Sequence, residues 1–490
     1  MKINHLHIDD WYILKDFDIS FDKGISVLIG ENGSGKSSVI EAIMLIFGHL
    51  HKYYVDGDKT ASFISGYTIN FDSHISKNGR SYNVEIKSIA YQDENEEDGS
   101  FKHSLMIDGK SYSLKAADVY LKDVGGFSSL LPENIIVYYS GVTNRLRELG
   151  DYFEEKYRKK VTRSNNDYSL NPIKLPFNIP FLYSKPEHLA IILLCSIISE
   201  ESFHSKFSDN YLGEIDKATI NIAINLKKPS WGNADAASFW GAHDGIIKEF
   251  LILLQAYSDE SIFGETYISF SYNSIFPIID MLTQIGIEQN RAKFLFRMLN
   301  LLDYNELLES VTLEWEDKSE NQISFDRISE GQKQIASTIG IISICENSNN
   351  LILLDEPDTF LHPKWQIDFI KQLENLSSNQ IILTTHSLNM LNQANSGMSD
   401  LLLFNQGKID ENVSKENFGK TIAYINYNLM GIEERPKSIQ NQLDDLFIHI
   451  EDEDIDQASR LYTNLIAAIG KNDSDLQKAK IELDFLKSIK

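Results

Sequence analysis

Residues 25–38 read ISVLIGENGSGKSS, and the rest of the chain falls into place around them. Ile25 to Ile29 is a short apolar run suited to a buried strand, and from Ser37 to Phe47 apolar residues return at helical spacing. Between them, Gly30-Glu31-Asn32-Gly33-Ser34-Gly35-Lys36-Ser37 fits a loop that wraps a phosphate chain. Glycines permit the tight fold, and successive backbone N–H groups then face anionic oxygens. The N-terminal end of the following helix adds positive potential. Gly30, Asn32, Gly33, Ser34, Gly35, Lys36, Ser37 and Ser38 are therefore the candidate nucleotide-binding residues. Lys36 is expected to reach the β- and γ-phosphates of ATP, and the Ser37 hydroxyl to ligate Mg²⁺.

Three further motifs carry chemistry. Leu351 to Leu354 is a second buried-strand run, ending in Asp355-Glu356. A carboxylate pair at such a strand tip suits Mg²⁺ coordination by Asp355 and polarisation of an attacking water by Glu356. About 19 residues earlier stands Ile328-Ser329-Glu330-Gly331-Gln332. Taken alone, Ser329 reads as the N-cap of a helix. Thr384-Thr385-His386-Ser387 closes the next apolar strand, with His386 about 30 residues after the carboxylate pair.

Together, Gly30 to Ser37, Ser329 to Gln332, Asp355-Glu356 and His386 resemble the ABC-type ATPases, in the form shared by the SMC, RecF and OLD-like branches. The resemblance implies that Ser329, Gly331 and Gln332 contact the γ-phosphate held by an opposite copy. Two sites would then form only when two chains meet head to tail. It also implies that His386 senses the γ-phosphate, making Lys36, Glu356 and His386 the catalytic set. Pro357 to Pro363 would be the loop that crosses the dimer interface, with His362 departing from the transporter pattern. Narrower features are Tyr138-Tyr139-Ser140-Gly141, Asn144-Arg145-Leu146, Phe239-Trp240-Gly241-Ala242 and a helical tail from Gly431. These resemble the PtuA-type ATPase subunits of Septu and retron-associated anti-phage systems. That likeness implies a homodimer or larger homo-oligomer working with a separate HNH-type nuclease and sensing phage-derived signals or DNA.

Composition sets outer bounds. At 490 residues the chain exceeds one ordinary domain, and 42% hydrophobic with 11% aromatic residues suffices for packed interiors. A formal charge of −25 argues against indiscriminate coating of DNA, while leaving room for a local basic strip. Lys156, Arg158, Lys159, Lys160 and Arg163 are either such a strip or an ordinary charged helix surface. Cys195 and Cys345 each sit in apolar surroundings, as buried small hydrophobes do, which suits a reducing cytoplasm. No basic-then-apolar leader opens the sequence, and Leu189 to Ile198 is far short of the ~20 residues of a membrane span. A soluble, cytoplasmic protein with no membrane partner is expected.

The expected fold is α/β: an ABC-type P-loop core, with a mixed sheet, helices and an antiparallel β lobe, plus a helical insertion and a helical C-terminal tail. The boundaries fall at 1–150 and 311–415 for the two parts of the core, 151–310 for a mainly helical insertion and 416–490 for the tail. Leu313 to Trp315 and Ile323 to Phe325 are read as strands where the core resumes. The glutamine of the Q-loop has two candidate places, Gln92 or the end of the strand Ile135 to Tyr139. In the tail, Asp444 to Asp456 reads as an amphipathic helix with Leu446, Phe447, Ile450 and Ile455 on its apolar face. The alternative is a metal-binding set of Glu451, Asp452, Asp454 and Asp456. No nuclease centre is recognisable in the chain. The leading expectation is an ATPase subunit of an anti-phage complex that gates a separate nuclease. A DNA-repair ATPase of RecF-like type, without a toxic effector, and a scaffold that binds ATP for structure are the alternatives.

Overall fold

Three fully buried, largely apolar strands anchor the first part of the chain. Ile25–Gly30, Asn350–Asp355 and Gln380–Thr384 are buried at every position, as strands covered on both faces must be. The computed structural model describes residues 1–57, 64–90, 101–139, 150–156, 158–159, 181–183, 188–199, 211–212, 215–242, 245–288, 290–316, 321–345, 349–376, 379–393, 398–410, 420, 424–425, 427 and 435–489. The chain divides into two units, Met1–Gly419 and Lys420–Lys490.

The first unit opens with a hairpin of β1 (Lys2–Trp11) and β2 (Leu14–Ser20). The next strand, β3 (Ile25–Gly30), leaves it for the central sheet. β4 (Ser65–Ile75), β5 (Arg80–Ala90), β6 (Phe101–Ile107) and β7 (Lys110–Tyr112) extend the hairpin into a six-stranded antiparallel sheet. Its order is β2-β1-β4-β5-β6-β7, which is the expected β lobe.

The central sheet also takes β8 (Asn134–Tyr139) and β9 (Phe181–Tyr183). A third sheet contains β10 (Asn221–Lys227), β11 (Glu260–Phe263), β12 (Tyr267–Tyr272), β13 (Leu308–Glu316) and β14 (Gln322–Ser324). The central sheet is completed by β15 (Asn350–Asp355), β16 (Gln380–Thr384), β17 (Ser399–Asn405) and β18 (Lys408–Asp410). Its order is β18-β17-β3-β16-β15-β8-β9, parallel except for the β17–β18 hairpin. Because β3, β16 and β15 run parallel side by side, Gly30, Thr384 and Asp355 all end on one edge. Ligands of open α/β sheets bind at that carboxyl edge.

The helices that matter to the site are α1 (Lys36–Leu50), α2 (Leu189–Ile198), α3 (Arg291–Tyr304), α4 (Glu330–Ile344), α5 (Pro363–Leu376) and α6 (Leu388–Gln393). α2 is buried along nearly its whole length and packs against α3 and α4. Gly340 of α4 permits that approach, because a Cβ there would lie 2.6 Å from Ile192 and Ser196 side-chain atoms. Cys195 and Cys345 are free and buried, as their apolar settings foretold.

The stretch 151–310 carries the expected helical runs, among them Leu189–Ile198, Ile246–Tyr257 and Arg291–Tyr304, but also strands that were not expected. It supplies β10, β11 and β12, and it lends β9 to the central sheet. Leu313 to Trp315 lies in β13 and Ile323 in β14, so both belong to the third sheet, not to the core sheet. Phe325 starts a short 3₁₀ turn. The cause is visible in the burial of β10 and β12, where buried and more exposed residues alternate strictly, the mark of a half-covered strand.

In the second unit α7 (Lys437–Glu451), α8 (Ile455–Ile469) and α9 (Ser474–Ile489) share a core of Leu443, Leu446, Ile450, Ala458, Leu465, Leu476, Ala479 and Leu483. Asp444 to Asp456 is not one helix. α7 ends at Glu451, and Asp454 caps α8 by accepting from the Gln457 N–H. Leu446 and Ile450 are buried and Phe447 packs on the core, while Ile455 opens the next helix. Among the described residues no helix is long and apolar enough to cross a membrane.

Candidate nucleotide site

The loop between β3 and α1 has the backbone that its glycines allow. Gly30, Gly33 and Gly35 have φ of 145°, 77° and 111°, a region that side chains make costly. A Cβ on Gly30 would sit 2.3 Å from the Phe404 carbonyl oxygen, so β17 closes the loop from behind. The Gly407 N–H donates to the Ser34 carbonyl at 2.8 Å and fixes the loop from the β17–β18 turn. Lys36 is buried and folds over its own loop, its Nζ donating to the carbonyls of Gly30 (3.0 Å) and Glu31 (2.9 Å). Burial pushes the Lys36 ammonium below its ordinary pKa, while Glu356 and Asp355 pull the other way. Asn32 and Gly33 stand exposed at the loop tip, and Ser38 is half-buried in the first turn of α1.

The sheet edge brings the remaining groups to this loop. The Ser37 hydroxyl donates to Asp355 Oδ1 at 2.9 Å, and Thr384 Oγ1 donates to the same oxygen at 2.6 Å. Asp355 is buried, which pushes its carboxyl pKa up, and these two hydrogen bonds counter that shift. Glu356 follows with φ 48°, a strained value for a non-glycine residue, held by its N–H donating to Thr384 Oγ1 at 2.9 Å. His386 Nε2 lies 3.8 Å from Glu356 Oε1. Burial and then the Lys36 charge lower the His386 pKa against the opposing pull of Glu356, and the net shift favours the neutral imidazole. Two hard oxygens 2.9 Å apart, one of them a buried carboxylate, fit a divalent cation such as Mg²⁺. The fold thus gathers Lys36, Ser37, Asp355, Glu356 and His386.

Ser329 is built differently. It is exposed and caps α4 through a capping box: its Oγ accepts from the Gln332 N–H at 3.3 Å, and its N–H donates to Gln332 Oε1 at 2.9 Å. Gln332 Nε2 donates to the Tyr211 carbonyl at 2.7 Å. Gly331 is buried under the loop after β15, where a Cβ would meet the Phe360 carbonyl oxygen at 2.6 Å. The exposed end of α4 therefore carries its backbone N–H groups and a hydroxyl outward, with Phe360 exposed beside them.

Some candidates fall elsewhere. Gln92, Ser140-Gly141, Asn144 to Leu146, Lys160, Arg163 and Gly431 lie outside the described residues. β8 runs beside β15, with Tyr139 opposite Asp355, so the strand named as a Q-loop candidate does border the site. Lys156, Arg158 and Lys159 form ion pairs with Asp56 (2.6 Å), Glu306 (3.5 Å) and Glu155 (2.5 Å). A charged surface knitted to its own carboxylates describes them better than an open basic strip. Among the described residues the group with metal-ligand spacing is His7, Asp16 and Asp18; the tail acids Glu451, Asp452, Asp454 and Asp456 do not gather into one.

A family model described as the RecF/RecN/SMC N terminal domain matches residues 2–409. The chain belongs to this family. Membership brings an ABC-type P-loop ATPase core and ATP as the nucleotide. Among relatives, "Retron Vc95 probable ATPase" from Vibrio cholerae serotype O1 biovar El Tor is 25% identical over 407 residues, covering 75% of this chain and 66% of that protein. "Retron Ec83 probable ATPase" from Escherichia coli is 28% identical over 186 residues, 34% of this chain and 33% of its own. "DNA double-strand break repair Rad50 ATPase" from Methanosarcina acetivorans is 31% identical over 123 residues, 24% of this chain and 11% of its own. The chain thus spans just under two thirds of the first relative and a third or less of the others. An SMC head domain from Thermotoga maritima covers 84% of this chain and 97% of its own at 13% identity, with a TM-score of 0.33.

Two residues inside motifs already singled out had no role of their own in the sequence reading. Thr384 donates to Asp355, yet a threonine ending a strand is ordinary. Asp358 is buried, its Oδ1 has no hydrogen-bond partner, and its carboxyl pKa is pushed up to about 6, chiefly by burial. In sequence it is one more aspartate in an acidic chain.

Proposed function

We propose that this chain is the ATP-gated subunit of an anti-phage defence complex, in which ATP-driven pairing of two copies controls a separate nuclease. The observation that carries the ATPase part is the gathering of Lys36, Ser37, Asp355, Glu356 and His386 on one sheet edge while Ser329 faces outward. The loop amides and Lys36 hold the phosphates, and Ser37 with Asp355 holds Mg²⁺, which neutralises phosphate charge when bound. Glu356 orients the attacking water. The neutral His386 donates a hydrogen bond to the γ-phosphate. A second copy presents Ser329, Gly331 and Gln332 across the interface, where a helix N-terminus favours negative charge.

The defence part rests on the likeness to the retron Vc95 and Ec83 probable ATPases, the former spread over 75% of this chain. The narrower assignment is a Septu-like, PtuA-type subunit with an HNH-type nuclease partner. A RecF-like repair ATPase, acting on DNA without a toxic effector, is the second reading, favoured by the Rad50 likeness in about a quarter of the chain.

Two experiments test this. Glu356→Gln should slow hydrolysis by roughly 10²–10⁴-fold while ATP binding persists and the ATP-bound oligomer accumulates. Hydrolysis at the wild-type rate would remove Glu356 from its role. Co-expression with the neighbouring genes should recover a nuclease in stoichiometric amount. A chain that purifies alone and hydrolyses ATP faster with DNA favours the repair reading.

A further inference from the structure

The hydrogen bonds behind the site form a connected path. Gln366, in the first turns of α5, uses both ends of its amide. Its Oε1 accepts from Ser387 Oγ at 2.8 Å and from Asn389 Nδ2 at 3.0 Å, just after His386. Its Nε2 donates to the Asp358 carbonyl at 3.3 Å, two residues after Glu356. Donors face the amide oxygen and an acceptor faces the amide nitrogen, so the orientation of the amide is fixed by its partners. From Asp358 the path runs two residues to Phe360, whose N–H donates to Oε1 of the buried Gln334 at 3.1 Å. Gln334 lies on the first turns of α4, the helix that Ser329 caps, and the Phe360 carbonyl rests on Gly331 of the same turn.

We propose that Gln366 is a positioning residue that couples the segment carrying His386 to the helix end carrying Ser329, through the loop 357–361 and Gln334. This rests on the nucleotide reading of the site given above. A change of His386 on meeting the γ-phosphate displaces Ser387 and Asn389, and Gln366 passes the displacement to the Asp358–Phe360 backbone. Gln334 and Gly331 then carry it into the first turn of α4. Each link is a directed hydrogen bond or a backbone contact, the hydrogen bonds all partly buried, and such chains reinforce one another where water is partly excluded. The consequence is that nucleotide at one chain's own loop alters the surface this chain offers to another copy.

The test is hydrogen exchange by mass spectrometry with and without ATP and Mg²⁺. It uses the wild-type chain and the Gln366→Leu and Gln366→Glu variants, all also carrying Ser329→Arg. The arginine keeps this end of α4 from meeting nucleotide held by another copy, and a response at 330–335 that does not change with protein concentration has travelled within one chain. ATP should slow exchange at 30–38 in all three. The response at 330–335 should be present with Gln366 and fall by about 5-fold or more in both variants, the lower end of typical coupling between sites. A residue that was merely structural would change exchange with and without ATP alike. Gln366→Glu keeps the shape and the acceptors for Ser387 and Asn389 but puts a charged, acceptor-only oxygen against the Asp358 carbonyl, so it breaks that one link and remains informative if Gln366→Leu fails to fold. If 30–38 responds and both variants keep the response at 330–335, the coupling is overturned while the nucleotide site stands. If 30–38 does not respond even with Gln366 in place, the nucleotide reading fails and the coupling fails with it.

Discussion

Replacing Asp358 by asparagine should make the first unit more stable at neutral pH. Asp358 is 6% exposed, and its pKa is raised from 3.8 to about 6, with burial the largest cause. A shift of about 2 units corresponds to about 3 kcal/mol at 1.36 kcal/mol per unit. The sign follows from proton binding. The folded chain holds the Asp358 proton more tightly than the unfolded chain, so this carboxyl favours folding most below about pH 4, and that contribution is lost as pH rises through about 6. Asparagine keeps the shape, can still bond to Thr385 and has no charge to bury. The expected gain is about 1–3 kcal/mol at pH 7.5, shrinking toward zero at pH 4. Tryptophan fluorescence during denaturant unfolding measures it cleanly, because all five tryptophans (Trp11, Trp231, Trp240, Trp315 and Trp365) lie in the first unit. Equal stability of variant and wild type at pH 7.5, or the same gain at pH 4 as at pH 7.5, would refute the reasoning.

Two further substitutions probe the scaffold. Gly30→Ala places a Cβ against the Phe404 carbonyl at a φ that alanine rarely adopts. It should cost about 1–3 kcal/mol and abolish ATP binding, as measured by fluorescent-nucleotide titration. Leu465→Ala empties a fully buried position in the tail core and should destabilise the second unit by about 2–5 kcal/mol. Helical circular dichroism should then be lost at lower denaturant while the tryptophan transition, which reports the first unit, stays in place.

The gathering of Lys36, Ser37, Asp355, Glu356 and His386 on one sheet edge was legible because the residue types and spacings involved are uncommon. Three glycines with positive φ, a lysine, a serine and a carboxylate at the tip of an apolar strand leave a dense pattern in the sequence. The sheet order was not legible, since nothing local says that β16 lies between β3 and β15. The third sheet was missed although its signal is present: Ile222, Ile224 and Leu226 alternate in β10, as Ile268, Phe270 and Tyr272 do in β12. Longer helical runs such as Leu189 to Ile198 and Ile246 to Tyr257 dominate that stretch and hid the short strands. Gln334 and Gln366 were invisible for a different reason. A glutamine on a helix is unremarkable until the fold shows what its amide reaches.

The composite site is most directly tested by mixing two inactive chains, one carrying Lys36→Ala and the other Ser329→Arg. Each homodimer lacks one half of both sites, while a mixed head-to-tail dimer has one site with both defects and one with neither. An equimolar mixture should therefore recover about a quarter of the wild-type ATPase rate if the chains pair at random and the sites turn over independently. A mixture as inactive as its parents, under conditions where the wild type hydrolyses ATP, would contradict the claim that Ser329 of one copy completes the site of another.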